Sequence, residues 1–303
     1  MGIRHILCPV DLSRTSLRAL RRAAALAGWY GSALTAFYVD ATPPMENAAD
    51  FEDFAPAAPS HRTEAARSSR ALQDVCLFIR RAACAPDVAV VVEESTHIEH
   101  AIVEAARRLS ADLIVMGSHG RAGMKRRLPG SITEHVLRAA TCPVMVVPPH
   151  DDVPPSTVSF EHIVCAIDFA DSPLAALSWA LSLAQVADAR LSLLHVIDVP
   201  PELCAWAPTT HDDFDELNAA IRADILSSLR ALVPQGAASF CSVETATSSG
   251  APGHAILRFA SERQADLIVM AARRHRVVER CPFGSKTSDV VCGSTCPVLT
   301  VRR

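Results

Sequence analysis

Four glycines, a serine and a run of cations lie together in GSHGRAGMKRRLPGSITEHVLRAA (117–140). Gly117, Gly120, Gly123 and Gly130 punctuate the stretch, and Ser131 opens a helical pattern. Glycine tolerates positive φ and lets backbone approach a ligand with no Cβ between them. The first turn of a helix offers N–H groups without helical partners and roughly half a positive charge. Behind a strand, these features make an anion site. Arg121, Lys125, Arg126 and Arg127 add positive charge, so a triphosphate is the natural guest. A lone glycine pair would signal only a turn. The length and basicity of this loop, and the helix it leads into, favour phosphate. His119 lies in the same loop and reads as a solvated side chain.

A second signal is a carboxylate closing an apolar run, HILCPVD, at Asp11. It can accept a hydrogen bond from a donor on a base, or it can serve the start of the next helix. Both signals need strand ends to hold them. Apolar runs at about 3–10, 34–40, 88–93, 111–117 and 143–148 predict five strands. Helical spacing predicts a helix capped by Ser13 through Leu17, Leu20 and Leu26, another over 63–83 and a third over 98–109. Continuous apolar strands alternating with helices mean a parallel sheet covered on both faces. Ligands of such sheets bind beyond the carboxyl ends of the strands. Asp11 and the Met116-Gly117 pair are placed there.

The pattern occurs twice. HILCPVDLSRTSLRAL (5–20) matches HIVCAIDFADSPLAAL (162–177) at an offset of 157. ADLIVMG (111–117) matches ADLIVMA (265–271), and TCPVMVV (141–147) matches TCPVLTV (295–301), both at an offset of 154. A period this long is a duplicated domain, not a solenoid. PPHDDVPPST (148–157) is the linker, since its prolines continue neither strand nor helix. The expected domains are 1–149 and 158–303. The Pro- and Ala-rich stretch at 41–60 and its counterpart near 198–212 are loops internal to the copies.

The spacing Gly117-x2-Gly120-x9-Gly130-Ser131 resembles the G-2x-G-9x-G-(S/T) signature of the ATP-binding universal stress proteins. The first strand ending in Pro9 and Asp11, the run ADLIVMGSHG and the CPVMVV strand are similar to that family as well. The resemblance spans both copies. It implies two doubly wound, Rossmann-like α/β domains, each a five-stranded parallel sheet in the order 3-2-1-4-5 flanked by helices. It implies adenine contacts at Pro9, Asp11 and Val39. It implies ribose and phosphate contacts at Met116, Gly117, Gly120, Gly130, Ser131 and Ile132. The cofactor implied is ATP, with or without Mg. The family also implies that terminal strands pair across a two-fold axis. Here 143–147 and 297–301 are expected to pair with each other and make one chain a pseudo-dimer, with a homodimer of whole chains left open.

The second copy departs from the signature. Gly284-Ser285 and Asp168 are kept, but Gly117 has become Ala271, Gly120 has become Arg274, and Pro9 has become Ala166. The second site is expected to be empty or weak, with Arg274 crowding the approach to the backbone.

Other classes find little support. No G-x-x-x-x-G-K-[ST] loop and no S-G-G-x-D-S motif occurs. No catalytic residues stand out near the glycines, so no dedicated enzyme is expected, although slow ATP hydrolysis stays open. A pure interaction module is the rival reading, and the second copy suits it. The net charge of −4 gives no field for nucleic acid. The first apolar run is broken by Asp11, too early for a signal-peptide core, and no apolar stretch reaches membrane-spanning length. A soluble, cytoplasmic chain is expected. Its ten cysteines show no C-x-x-C pair, and Cys8, Cys142, Cys165 and Cys296 read as small apolar residues. No metal site is expected; His97 and His100 could share a helix face and read as solvated.

Overall fold

A computed structural model describes residues 2–41, 61–82, 87–118, 130–151, 159–169, 173–198, 212–237, 240–272 and 285–302. The first half runs β1 (His5–Val10), α1 (Arg14–Tyr30), β2 (Ala33–Asp40), α2 (His61–Ala82), β3 (Val88–Glu94), α3 (Ile98–Arg108), β4 (Leu113–Gly117), α4 (Ser131–Ala139) and β5 (Val144–Val147). The second runs β6 (His162–Ala166), α5 (Pro173–Ala187), β7 (Arg190–Ile197), α6 (Asp212–Leu232), β8 (Val243–Ser249), α7 (Pro252–Glu262), β9 (Leu267–Ala271), α8 (Ser285–Gly293) and β10 (Val298–Val301). Among the described residues no helix is long and apolar enough to cross a membrane.

The strands form one sheet of ten, ordered β3-β2-β1-β4-β5-β10-β9-β6-β7-β8. Each half keeps the order expected from the resemblance, with parallel neighbours throughout. The exception is the central pair, where β5 and β10 run antiparallel. In that pair Met145 faces Leu299, with Val144 opposite Thr300 and Val146 opposite Val298. Met145 and Leu299 are equivalent residues of the two copies. A strand facing its own counterpart residue for residue is the register of a two-fold axis.

Alternation along β1 sends Ile6, Cys8 and Val10 to one face and Leu7 to the other. The first face packs on Leu20 and Leu26 of α1, Val75 of α2 and, across the junction, Leu177 and Leu183 of α5. The second packs on Ile102 of α3, Val136 of α4, and Ile256 and Val290 of the other half. Each core layer is therefore continuous through both copies.

At the amino ends of the strands the two copies share one polar arrangement. Asp112 accepts from the Arg4 and His5 backbone N–H groups at 2.8 and 3.0 Å; Asp266 accepts from those of Glu161 and His162. His5 bonds the Leu109 carbonyl and the Thr35 hydroxyl, and His162 bonds the Arg263 carbonyl and the Ser192 hydroxyl. The first strand begins at His5, two residues later than the apolar run suggests.

Side chains also tie the first half to the linker and to the second half. Arg22 donates from Nε and Nη2 to the two carboxylate oxygens of Asp151, both at 2.7 Å. The two side chains are 3% and 6% exposed. The same guanidinium lies 5.4 Å from the Phe160 ring centre. Arg302 donates to the Leu137 and Ala140 carbonyls at the end of α4, where a cation suits the helix dipole.

Candidate functional site

The exits of β1, β2 and β4 and the start of α4 enclose a cavity of about 590 Å³. Pro9, Asp11, Val39, Met116, Gly117, Gly130, Ser131 and Ile132 all line it. Gly120, the remaining candidate, lies outside the described residues, as do His119 and the basic run 121–127.

The chain turns sharply after β1. Leu12 takes a left-handed φ of 64°, and Asp11 Oδ1 accepts from the Ser13 backbone N–H at 3.0 Å. Ser13 then caps α1, its hydroxyl accepting from the Ser16 N–H at 3.1 Å. The capping bond belongs to Ser13, as expected, while Asp11 stabilises the preceding turn. Asp11 thus borders the cavity and holds the local backbone as well.

At the opposite wall, the Ser118 N–H donates to the Val147 carbonyl and the Gly130 N–H to the Ser118 carbonyl. The loop therefore leaves and rejoins the fold at adjacent points. Thr133 Oγ1 donates to the Gly117 carbonyl at 3.0 Å, tying the first turn of α4 to the end of β4. Ser131 opens this helix, as its sequence pattern suggests. Gly130 is the N-cap, Ser131 is the first helical residue, and no side chain makes a capping bond. Ser131, Ile132 and Thr133 of this first turn line the cavity, and first-turn N–H groups have no helical carbonyl to bond.

Gly117 lines the cavity and also serves packing that the sequence did not show. Its φ is not positive. A Cβ built there would lie 2.8 Å from Thr15 Cγ2 and 3.3 Å from the Thr15 carbonyl carbon. Glycine at this position lets α1 approach β4; the excluded Cβ points at a helix.

Sequence reasoning missed several walls. Phe37, Tyr38, Asp40 and Ala41 come from β2 and its exit, and Ile98 and Ile102 from α3. Val39 was the one marker of β2. Nothing in the spacing along α3 distinguishes a residue lining a cavity from one in the core. The result is a largely apolar slot whose lining also includes Asp11, Asp40 and the first turn of α4. Such a slot can hold a flat ring, accept bonds from its amino donors and receive an anion.

The equivalent place in the second half is built differently. The Phe169 ring packs on His195 at 4.9 Å, and His195 donates from Nδ1 to the Ile167 carbonyl at 2.8 Å. Lys286, which stands where Ile132 stands in the first half, donates to Asp198 Oδ2 at 2.9 Å. This ion pair joins the start of α8 to the exit of β7. Arg274, on which the sequence reading placed the obstruction, and Gly284 lie outside the described residues.

The universal stress protein family profile matches residues 2–148 and again 159–302. Universal stress protein YxiE of Bacillus subtilis is 31% identical over 147 residues, covering 47% of this chain and 99% of that protein. Universal stress protein A homolog 1 of Coxiella burnetii is 29% identical over 152 residues, covering 48% of this chain and 97% of its own. The crystal structure of a universal stress protein from Archaeoglobus fulgidus shares the fold with a TM-score of 0.67 at 21% identity, covering 100% of this chain and 97% of its own. One family's domain thus accounts for each half, and the chain belongs to the universal stress protein family as a tandem of two such domains.

Proposed function

We propose that the chain is a cytoplasmic, ATP-binding regulatory protein of the stress response, with the nucleotide held in the first domain. The observation that carries this reading is a single cavity joining the Asp11 and Asp40 carboxylates to the first turn of α4. The base stacks among Val39, Ile98 and Ile102, its amino group donates to Asp11, and the phosphates meet the N–H groups of Ser131 to Thr133. The resemblance adds a phosphate contact at Gly120, and the cations at 121–127 supply positive charge in the same stretch of sequence. Binding, with at most slow hydrolysis, is the proposed activity.

The second domain is proposed as an assembly half that binds nucleotide weakly or not at all. The Lys286–Asp198 ion pair and the Phe169–His195 contact supply the reason in place of Arg274. The antiparallel β5–β10 register supports an intrachain pseudo-dimer.

Heat-denaturing the purified protein and identifying any released nucleotide tests the guest. Calorimetry with ATP, ADP, AMP and cyclic AMP, with and without Mg²⁺, then gives affinity and stoichiometry. One ATP per chain, lost in Gly120→Val, is expected. Wild-type affinity in Gly120→Val would refute the site assignment, and two equal sites would refute the asymmetry.

A further inference from the structure

Outside the cavity, one cluster of side chains has unassigned chemistry. Glu99 and His100 in the first turn of α3 meet His135 of α4, and one donor atom from each lies within 4.8 Å of the others. The His100 and His135 rings are 4.6 Å apart at 63°. Neighbouring residues on a helix normally point apart. The convergence of Glu99 and His100 on a third residue from another helix is therefore not a by-product of helical spacing. We infer that Glu99, His100 and His135 form a binding site for a divalent first-row transition-metal ion, with Zn²⁺ the representative guest.

The chemistry selects the ion. Two imidazoles and one carboxylate suit zinc-type ions, whereas Mg²⁺ and Ca²⁺ prefer oxygen donors throughout. Two histidines and a glutamate with water in the fourth position form a known zinc geometry. Bonds of ~2.0–2.1 Å in a tetrahedron put ligand atoms roughly 3.4 Å apart. The widest separation here, at most 4.8 Å, therefore has to close by about 1.4 Å. Half-buried or exposed side chains achieve that by small rotations about χ1 and χ2. One group opposes the ion: Arg138 donates to His135 Nδ1 at 3.2 Å. Its side chain is exposed, so a bound ion competes with a solvent-accessible contact. Because α3 and α4 also line the cavity through Ile98, Ile102 and Ile132, a bound ion would tie two of its walls together.

The test uses the full-length protein, freed of nucleotide and treated with chelator. Zn²⁺ is titrated by calorimetry and Co²⁺ by visible absorption. Wild type is expected to take Zn²⁺ at this site and to melt at a higher temperature with it. The Co²⁺ form should show visible d–d bands clearly stronger than those of aqueous Co²⁺ and no thiolate charge-transfer band. His100→Ala and His135→Ala should each weaken binding by more than the ~10–100-fold typical of losing an outer-shell partner. Arg138→Gln should bind at least as tightly as wild type. His100 is exposed, so His100→Ala decides the matter even if His135→Ala melts early in chelator. Undiminished affinity in His100→Ala, a thiolate band in the Co²⁺ form, or weaker binding in Arg138→Gln would overturn the assignment.

Discussion

Replacing Gly117 by alanine tests whether this glycine serves the ligand or the fold. The new Cβ would stand 2.8 Å from Thr15 Cγ2, against roughly 3.5–4.0 Å for a relaxed carbon–carbon contact. The shortfall is therefore at least about 0.7 Å. A β-branched side chain in a helix has one strongly preferred χ1 setting or two at most, so Cγ2 has little room to turn aside. The Thr15 carbonyl carbon at 3.3 Å means the backbone of α1 must shift as well. Overpacking of this kind costs about 1–3 kcal/mol. The second domain shows the remedy in its sequence. Ala271 replaces Gly117, and the residue aligned with Thr15 is Ser172, which lacks the γ-methyl. Thr15→Ser combined with Gly117→Ala should recover most of the loss, because the offending methyl is gone. Urea denaturation of the two single variants and the double variant measures this. ATP affinity in the double variant should equal that of wild type, since the Cβ points at α1. A Gly117→Ala protein as stable as wild type, or a double variant no better than the single, would refute the packing argument. A stable double variant that no longer binds ATP would return Gly117 to the ligand.

Three further outcomes are expected. Asp151→Ala leaves the buried Arg22 guanidinium without its counter-ion and should cost about 3–5 kcal/mol. The Arg22→Met, Asp151→Leu pair should cost less than Asp151→Ala alone, and a larger cost for the pair in urea denaturation would contradict this. Glu244 is held below the usual carboxylate range by the Ser192 hydroxyl and by Arg263, against burial. Its contribution is present above the unfolded-state value and lost as pH falls through the depressed value. The urea midpoint of Glu244→Gln should therefore lie below wild type at neutral pH and converge with it in acid; a constant gap would disprove the linkage. Burial pushes the thiols of Cys142 and Cys296 up to about 11 and that of Cys165 to about 12, whereas Cys76 is exposed. Iodoacetamide on native protein at mildly alkaline pH should label Cys76 and spare those three by mass mapping, and rapid labelling of Cys165 would show that its burial is wrong.

The duplication and the alternation of strands and helices could be read directly because each rests on local pattern. The placement of Asp11 and of the 130–132 turn followed from the rule that strand ends carry the ligand. What escaped reading depends on residues far apart in the chain. Arg22 sits in RALRRAAALAG and looks like any solvated helical charge, yet it is buried because Asp151 reaches it from 129 residues away. The close approach of Gly117 to Thr15 could not be read because Thr15 is on another element. Lys286 attracted no notice, since only the fold brings it to Asp198. His100 is exposed, as read, but its meeting with His135 could not be foreseen because His135 lies on a separate helix.

The β5–β10 seam bears on how the two sites could come to differ. Two separate copies meeting through such a seam would have to find each other by diffusion, and every substitution would appear on both sides at once. A short linker instead holds the partner strand at an effective concentration on the order of millimolar, so the seam closes whatever the protein's dilution. Each half is then encoded separately. Lysine can replace isoleucine at 286 while Ile132 stays unchanged in the other half. Covalent linkage thus uncouples the halves genetically while keeping them joined physically, and one site can be lost without loss of the scaffold that supports the other.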